Sequence, residues 1–295
     1  MNTDHVTTAG KAPSAVRRLL MHPLPRMILE AGIFFGTLFA LKVTLIKPGL
    51  GLLGLDETVF RAWQGVLTIA AMFTVYVILM RLYEDRKASE LSPAHLVKDG
   101  IIGSLTGAAM VSAVFAVLWI AGAWHIVSVG SISAMIVPVI WVILMATLEE
   151  LIFRGMVYRI FEQWLGTIAA LIISALLFGG MHIFNDNADL ISVLSATSGG
   201  LLMGALYSLT GRLWIPIFFH ASWNLTQAIF GSAVSGADIF GTYFESVREG
   251  PEWLTGGPFG IENSVITISL IFVVIAFLIL RMQRRNLFLA GNLTK

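Results

Sequence analysis

Long apolar runs separated by short polar stretches dominate the chain. Each run is long enough to cross about 30 Å of hydrocarbon as a helix. The pattern predicts an all-α fold, a polytopic transmembrane bundle of about eight helices. The predicted spans are 27–46, 62–80, 101–124, 132–158, 164–183, 190–209, 213–230 and 265–280.

Polar stretches at the two ends enclose a single predicted membrane domain. We predict a cytoplasmic N-terminal tail at 1–26, a membrane domain at 27–285 whose core of motifs covers about 132–230, and a C-terminal tail at 286–295. The one long connection, 231–263, is rich in Gly and acidic residues, and we expect a surface or partly re-entrant loop there.

Composition agrees with a chain whose main solvent is lipid. Hydrophobic residues make up 57% and charged residues only 13%, whereas soluble domains contain about 25% charged residues. We therefore expect membrane lipid as a partner. A formal net charge of +1 gives no indication of a nucleic-acid partner. Cysteine is absent, which excludes disulfides, thiolate metal sites and cysteine nucleophiles.

Basic residues cluster in alternate connections, which predicts the orientation of the chain. Connections on the cytoplasmic side of a membrane protein carry an excess of Lys and Arg. With the N-terminus in the cytoplasm, that side holds 15 of the 19 basic residues, and both termini are predicted to be cytoplasmic. The bias fits a multi-pass protein of a bacterial-type cytoplasmic membrane. The 15 residues are Lys11, Arg17, Arg18, Arg26, Arg81, Arg86, Lys87, Lys98, Arg154, Arg159, Arg212, Arg281, Arg284, Arg285 and Lys295.

Ionisable side chains within the spans are the candidates for chemistry, because each is costly in lipid unless it is paired or lines a wet cavity. Glu149 and Glu150 lie near the end of the fourth span. Glu150 and Arg154 are four residues apart, on one helix face, and are suited to pairing. Glu149 points about 140° away from Arg154 at a helical 100° per residue. The sequence thus predicts one carboxylate that is held and one that is available.

Two further pairs repeat the spacing of four residues. Phe178 and His182 end the fifth span, and His220 and Asn224 lie one turn apart in the seventh. Residues at this spacing present their side chains to the same side of a helix. His220 and Asn224 are therefore predicted to direct hydrogen-bond donors toward one place.

Each of these features has a structural interpretation when taken alone. The Glu150 and Arg154 pair has the form of an interfacial salt bridge, and His182 could lie among lipid headgroups. Glu30 and Lys42 in the first span are interpreted as side chains that snorkel to the interface. It is the combination of three polar pairs on separate helices that favours function.

Together the motifs Glu-Glu-x-x-x-Arg, Phe-x-x-x-His and His-x-x-x-Asn, in this order on separate helices, resemble those of the CPBP family. These are the CAAX proteases and bacteriocin-processing enzymes, also called the Abi family. The resemblance covers about 132–230. It implies a glutamate-type intramembrane protease similar to the type II CAAX prenyl endopeptidases.

The predicted reaction is hydrolysis of a peptide bond near the membrane without a covalent intermediate. Glu149 would take a proton from a water that His182 positions. His220 and Asn224 would donate hydrogen bonds to the oxyanion. The resemblance implies the same assignments.

The remaining motif residues are predicted to support this site. Glu150 and Arg154 would hold the helix end and tune Glu149, and Phe178 belongs to the His182 motif. No cofactor is expected. As a second choice, a metal such as zinc could be held by Glu149, His182 and His220, which are suitable ligands in number and type.

Other classes of function stay open at this stage. Intramembrane carboxylates and histidines also form proton relays and transport paths, although no pair of matching discontinuous spans indicates a transporter. A non-catalytic scaffold of the same fold is a third possibility. For an enzyme, the expected substrate is a peptide or a C-terminal protein segment, with or without a lipid anchor.

The predicted spans contain one geometric conflict. Glu149 lies in the cytoplasmic half of span 132–158, whereas His182 lies toward the opposite end of span 164–183. At a rise of about 1.5 Å per residue, the two side chains would be too far apart to touch. Helix tilt, a half-crossing fifth helix or misplaced boundaries could each remove the conflict.

Overall fold

The computed structural model describes residues 19–238 and 241–291. Most of the predicted N-terminal tail and the last four residues of the predicted C-terminal tail lie outside these ranges. Four of the basic residues that predict the orientation, Lys11, Arg17, Arg18 and Lys295, are likewise outside the described residues.

The fold is a bundle of long apolar helices, as predicted. Seven helices of the described chain are long and apolar enough to cross a membrane, and the protein is a multi-pass integral membrane protein. The remaining predicted span, 213–230, forms a shorter helix of 16 residues. The helices are α1 (Pro23–Gly51), α2 (Glu57–Leu82), α3 (Leu96–Ile120), α4 (Ile132–Leu165), α5 (Thr167–Phe184), α6 (Leu190–Thr210), α7 (Trp214–Ile229) and α8 (Val265–Arg284).

A two-stranded sheet, which the sequence did not predict, covers one end of the bundle. Strand β1 (Trp124–Val129) follows α3 and pairs antiparallel with β2 (Phe244–Arg248) in the long connection before α8. The predicted third span continued to residue 124, but α3 ends at Ile120 and the chain turns at Gly122, where φ is +69°. The long connection is therefore folded over the bundle rather than being an open loop.

Helices α4 and α5 form a hairpin that places Glu149 and His182 at similar distances from its turn. The chain turns at Gly166, where φ is +86° and an added Cβ would lie within 3 Å of Leu289 and Gly291. Glu149 precedes this turn by 17 residues and His182 follows it by 16. At about 1.5 Å per residue, both lie about 25 Å from the turn, side by side on adjacent arms.

Helix α4 extends seven residues beyond the predicted span 132–158, because Arg159 and Glu162 have hydrogen-bond partners within the bundle. In the structure the helix continues to Leu165 through a π-helical segment, Phe153–Tyr158. Arg159 is buried there rather than exposed to water. This extension moves Glu149 away from the end of its helix and removes the conflict between Glu149 and His182.

The packing of the bundle places the motif helices together. Helix α7 packs against α3 and α4, while α5 and α8 both pack against α6. Buried apolar side chains from all these helices form the main core. The motif helices α4, α5 and α7 thus present their polar residues toward a shared interior.

Near Gly166, a group of carboxylates and guanidiniums closes the end of the bundle. We call it the ion cluster. Arg26 Nε donates to Glu30 Oε1 at 2.9 Å, and Arg86 Nη2 donates to Glu90 Oε1 at 2.8 Å. The cluster consists of Arg26, Glu30, Glu84, Arg86, Glu90 and Arg159.

Glu84 lies at the centre of the ion cluster, in contact with Arg26, Arg86 and Arg159. Burial disfavours its charged form, but hydrogen bonds and the nearby positive charges outweigh this, so the pKa of Glu84 lies well below its ordinary value. Glu30 is fully buried in the same cluster. The prediction that Glu30 snorkels to the interface is therefore wrong.

Candidate active site

The four predicted catalytic side chains line one cavity of about 550 Å³. We call it the catalytic cavity. Glu149 comes from α4, His182 from the end of α5, and His220 and Asn224 from α7. Helices that are far apart in sequence thus bring the predicted residues together.

The two adjacent glutamates occupy different environments, as their helical positions predict. The Glu149 side chain is 25% exposed and faces the catalytic cavity, and its Oε2 has no hydrogen-bond partner. The Glu150 side chain is 0% exposed, and its Oε1 accepts from Arg154 Nη1 at 2.8 Å. One carboxylate is held by a charge-assisted bond and the other is available to a ligand.

Arg154, on α4, also contacts helices α5 and α6. Its Nη2 donates to the carbonyl oxygen of Gly200 on α6 at 2.8 Å, and its guanidinium lies 4.8 Å from the centre of the Phe178 ring on α5. Gly200 permits this close packing, because an added Cβ would lie 3.0 Å from the Cα of Ala175. Arg154 therefore contacts both of the other predicted supporting residues, Glu150 and Phe178.

The hydrogen bond of His182 fixes which of its nitrogens can act. His182 Nδ1 lies 2.8 Å from the carbonyl oxygen of Phe178. A carbonyl can only accept, so Nδ1 carries the proton and, in the neutral ring, Nε2 is left as an acceptor. Phe178 also packs against the imidazole, with ring centres 4.7 Å apart.

His220 is held between the two glutamates. Its Nδ1 donates to Glu150 Oε1 at 2.9 Å, and its Nε2 lies 3.9 Å from Glu149 Oε2. Asn224, one turn further along α7, is buried, and its Oδ1 has no hydrogen-bond partner. Because Asn224 lines the catalytic cavity, its amide can bind a ligand there.

Sequence reasoning missed a second wall of the cavity, which comes from the connections of the bundle. Asn185 and Ser235 both line the cavity, and Asn185 Nδ2 donates to the Ser235 carbonyl oxygen at 3.0 Å. Glu262 Oε2 accepts from the Ser235 backbone N–H at 2.9 Å and from its hydroxyl at 2.8 Å. Three connection residues thus fix this wall.

The other oxygen of Glu262 is bound to the motif helix α7. Glu262 Oε1 accepts from Trp223 Nε1 at 3.0 Å and from Gln227 Nε2 at 3.1 Å. The sequence assigned Glu262 to the acidic surface loop. A usable signal was present, because a Trp and a Gln that each follow a motif residue by three positions in an apolar helix need polar partners when buried.

The three residues of the alternative metal set, Glu149, His182 and His220, all line the catalytic cavity. Within the described residues, no group of three or more His, Asp or Glu side chains has an arrangement that could hold a metal ion. Glu149, His182 and His220 share the cavity without forming such a group in this conformation.

Comparisons with known proteins agree with the motifs. Residues 131–226 match the model of the family described as "Type II CAAX prenyl endopeptidase Rce1-like". The chain is also 36% identical over 77 residues to a Bacillus subtilis (strain 168) protein named "Putative membrane peptidase YdiL". That match covers 26% of this chain and 30% of the relative.

The matched range contains all four predicted catalytic residues and the three supporting ones. The family resemblance predicted from the motifs is therefore confirmed over 131–226. No solved structure matches the chain.

Proposed function

We propose that the Rce1-like region, residues 131–226, is the catalytic core of a membrane-embedded endopeptidase in which Glu149 activates the attacking water. One observation carries the proposal. Glu149, His182, His220 and Asn224 line a single cavity, and polar atoms of Glu149 and Asn224 lack hydrogen-bond partners. Buried polar atoms without partners are costly, so their placement in a cavity favours a role toward a substrate.

In the first step, water is held between His182 and Glu149. His182 Nε2 accepts one hydrogen bond from the water, since its Nδ1 proton is already bound to Phe178. The Glu149 carboxylate takes the other water proton as the oxygen attacks the scissile carbonyl carbon. The carbonyl π electrons move to its oxygen and form the oxyanion.

The oxyanion is then stabilised from α7. The Asn224 amide donates one hydrogen bond and His220 Nε2 donates the second. Because His220 Nδ1 donates to Glu150, this role requires a proton on both nitrogens of His220. The two neighbouring carboxylates, Glu149 and Glu150, favour that charged form.

Collapse of the oxyanion breaks the C–N bond. Glu149, now protonated, gives its proton to the leaving amine, and a free carboxyl and a free amine result. The proton taken from water in the first step is thus returned in the second, and no bond between the enzyme and the substrate forms.

An apolar extension of the site supports a substrate with a lipid anchor. A second cavity of about 280 Å³ shares Phe35, Trp141, Met145 and Leu148 with the catalytic cavity. It lies between α1, α2 and α4 and is lined mainly by apolar side chains. An acyl or prenyl chain next to the cleaved segment would bury apolar surface there.

The test is hydrolysis of a quenched fluorescent peptide by the purified full-length protein in detergent. The peptide carries a C-terminal prenylated cysteine, and the same peptide without the prenyl group serves for comparison. Glu149→Gln and His182→Ala are expected to lower kcat by about 100-fold to 10,000-fold, the usual contribution of general acid–base catalysis. Glu252→Gln, on an exposed stretch of the long connection, is the matched control.

Adding a chelator separates the mechanisms. Activity that survives chelation but not Glu149→Gln supports glutamate catalysis, whereas activity lost to chelation and restored by zinc supports the metal alternative. Full activity of Glu149→Gln contradicts the proposal. If folded wild-type protein cleaves neither peptide, the enzyme assignment fails for these substrates, and the transporter and scaffold alternatives gain.

A further inference from the structure

We infer that the catalytic cavity opens on the side of the membrane away from the cytoplasm, and that the substrate is a polypeptide segment presented on that side. The inference rests on the proposed function only where it calls the bound segment a substrate. The orientation itself follows from the walls of the cavity and the distribution of basic residues.

The depth of the site sets it far from the Gly166 turn. Glu149 and His182 each lie about 25 Å along their helices from this turn, and the hydrocarbon core is about 30 Å thick. Helix α5 changes to a 3₁₀ turn at His182 and the chain leaves the helix after Phe184. His182 therefore lies at the end of α5 that is farthest from the Gly166 turn, and Glu149 lies at the middle of α4.

The cavity walls come from the connections at the same far end. Phe184, Asn185 and Asp186 line it from the connection between α5 and α6, and Val234 and Ser235 line it from the connection that follows α7. Among the described residues that line the catalytic cavity, none belongs to the connections at the Gly166 end. Water and substrate thus enter from the far end or from the adjoining lipid.

Hydrogen bonds show which connections lie together at the Gly166 end. Thr167 N donates to the carbonyl oxygen of Leu289 beyond α8, and Leu213 N donates to that of Glu90. Tyr83 donates to the carbonyl oxygen of Leu20 before α1. The chain before α1, the α2–α3, α4–α5 and α6–α7 connections, and the segment after α8 therefore share this end.

These are the connections that carry the basic residues. They include Arg86, Lys87, Arg212, Arg284 and Arg285. The far end carries instead a long connection whose charges are mostly acidic. Its carboxylates are Asp238, Glu245, Glu249, Glu252 and Glu262. Since an excess of Lys and Arg marks the cytoplasmic side, the Gly166 end faces the cytoplasm and the cavity faces away from it.

Such a cavity can receive a segment of an exported or membrane-anchored polypeptide on the non-cytoplasmic side. A segment that remains in the cytoplasm would have to pass between packed helices to reach Glu149. The buried ion cluster and the main core lie in that path.

The absence of cysteine allows a direct test in the full-length protein. Three single-cysteine variants are sufficient. Phe184→Cys replaces a side chain that is 82% exposed beside the cavity, Glu252→Cys marks the exposed long connection, and Lys87→Cys marks the exposed α2–α3 connection. Each is treated with a membrane-impermeant maleimide in right-side-out and in inside-out vesicles of a bacterial cytoplasmic membrane.

We expect Phe184→Cys and Glu252→Cys to be labelled in right-side-out vesicles and protected in inside-out vesicles. Lys87→Cys should show the opposite pattern. Labelling of Phe184→Cys from the same side as Lys87→Cys overturns the inference, and Glu252→Cys gives an independent reading if the Phe184 variant does not accumulate. Labelling requires no catalysis, and hydrolysis in detergent requires no orientation, so failure of this inference is distinguishable from failure of the proposed function.

Discussion

The ion cluster near Gly166 and the catalytic cavity contain the same kinds of side chain but differ in how their carboxylates are paired. Both contain glutamate and arginine side chains buried between apolar helices. In the ion cluster the carboxylates of Glu30, Glu84 and Glu90 each contact a guanidinium. In the cavity, Glu149 is paired with no guanidinium of the described residues, and its Oε2 lies 3.9 Å from His220 Nε2.

The difference teaches that pairing, rather than residue type, separates a structural group from a reactive one in this protein. A buried pair offsets its own desolvation and holds helices in register, whereas an unpaired carboxylate keeps its capacity for a proton or a water. Arg154 and Glu150 lie between the two cases, because they are paired with each other and also position His220.

The largest expected effect comes from breaking the ion cluster. Arg159→Leu removes a buried guanidinium that contacts Glu84 and the carbonyl oxygen of Gly155. Leaving buried carboxylates short of a partner should lower the free energy of unfolding by about 3–5 kcal/mol. Unfolding in detergent, followed by denaturant or by temperature, measures this loss, and peptidase activity per folded molecule should stay unchanged.

Arg61→Leu provides the matched control for this change. Arg61 pairs with Glu57 at 3.7 Å, but the side chains are 56% and 79% exposed. An exposed pair contributes about 0–1 kcal/mol. If the two arginine variants lower the free energy of unfolding equally, burial of the ion cluster adds nothing to the stability of the protein.

The second test changes a residue of the catalytic cavity. Asn224→Ala removes an amide that donates to the oxyanion in the proposed mechanism, and kcat should fall by about 100-fold to 1,000-fold. Stability should change little, because the Asn224 Oδ1 has no partner to lose. Steady-state kinetics and thermal unfolding of the same preparation measure both effects.

Thr226→Ala is a suitable control on the same helix. The Thr226 hydroxyl donates to the Ser222 carbonyl oxygen at 2.7 Å and does not line the catalytic cavity. A fall in kcat of similar size in this variant would mean that α7 is sensitive to any polar loss, and the oxyanion role of Asn224 would be withdrawn.

The smallest expected effect comes from Glu262, and it separates the contribution of a paired carboxylate from that of the reacting groups. Glu262 is fully paired, yet it fixes Ser235 in the cavity wall and Trp223 and Gln227 on α7. Glu262→Gln replaces one acceptor oxygen by a donor, at a net cost of about 1–3 kcal/mol for the hydrogen bonds lost. We expect kcat/KM to fall by about tenfold, mainly through KM, since the substrate wall moves while Glu149 stays.

Glu262→Asp should restore part of the activity, because it keeps the carboxylate, and Glu252→Gln should have no effect. A purely structural role for Glu262 would instead lower kcat and stability together without a change in KM.

Several features of the site could be predicted because helical geometry acts within one helix. The different directions of Glu149 and Glu150 and the shared side of His220 and Asn224 follow from about 100° per residue. The contact between Glu150 and His220 could not be predicted, since 70 residues and two helices separate them. Only the packing of α7 against α4 brings that pair together.

The errors have a common physical cause. Arg159 and Glu30 were assigned to water or headgroups because a charged residue in lipid is costly, but the cost is offset when several charges of both signs pack together. The strand β1 was missed because its partner lies more than 100 residues away, at Phe244–Arg248. Local hydropathy contains no information about either kind of distant partner.

The nearly equal arms of the α4–α5 hairpin have a consequence for insertions and deletions. Adding one residue between Glu149 and Gly166 would rotate Glu149 by about 100° and shift it by about 1.5 Å relative to His182. The chain between 149 and 182 should therefore tolerate substitutions on its lipid-facing side, yet be nearly fixed in length. Insertions and deletions in related proteins are expected instead in the long connection before α8.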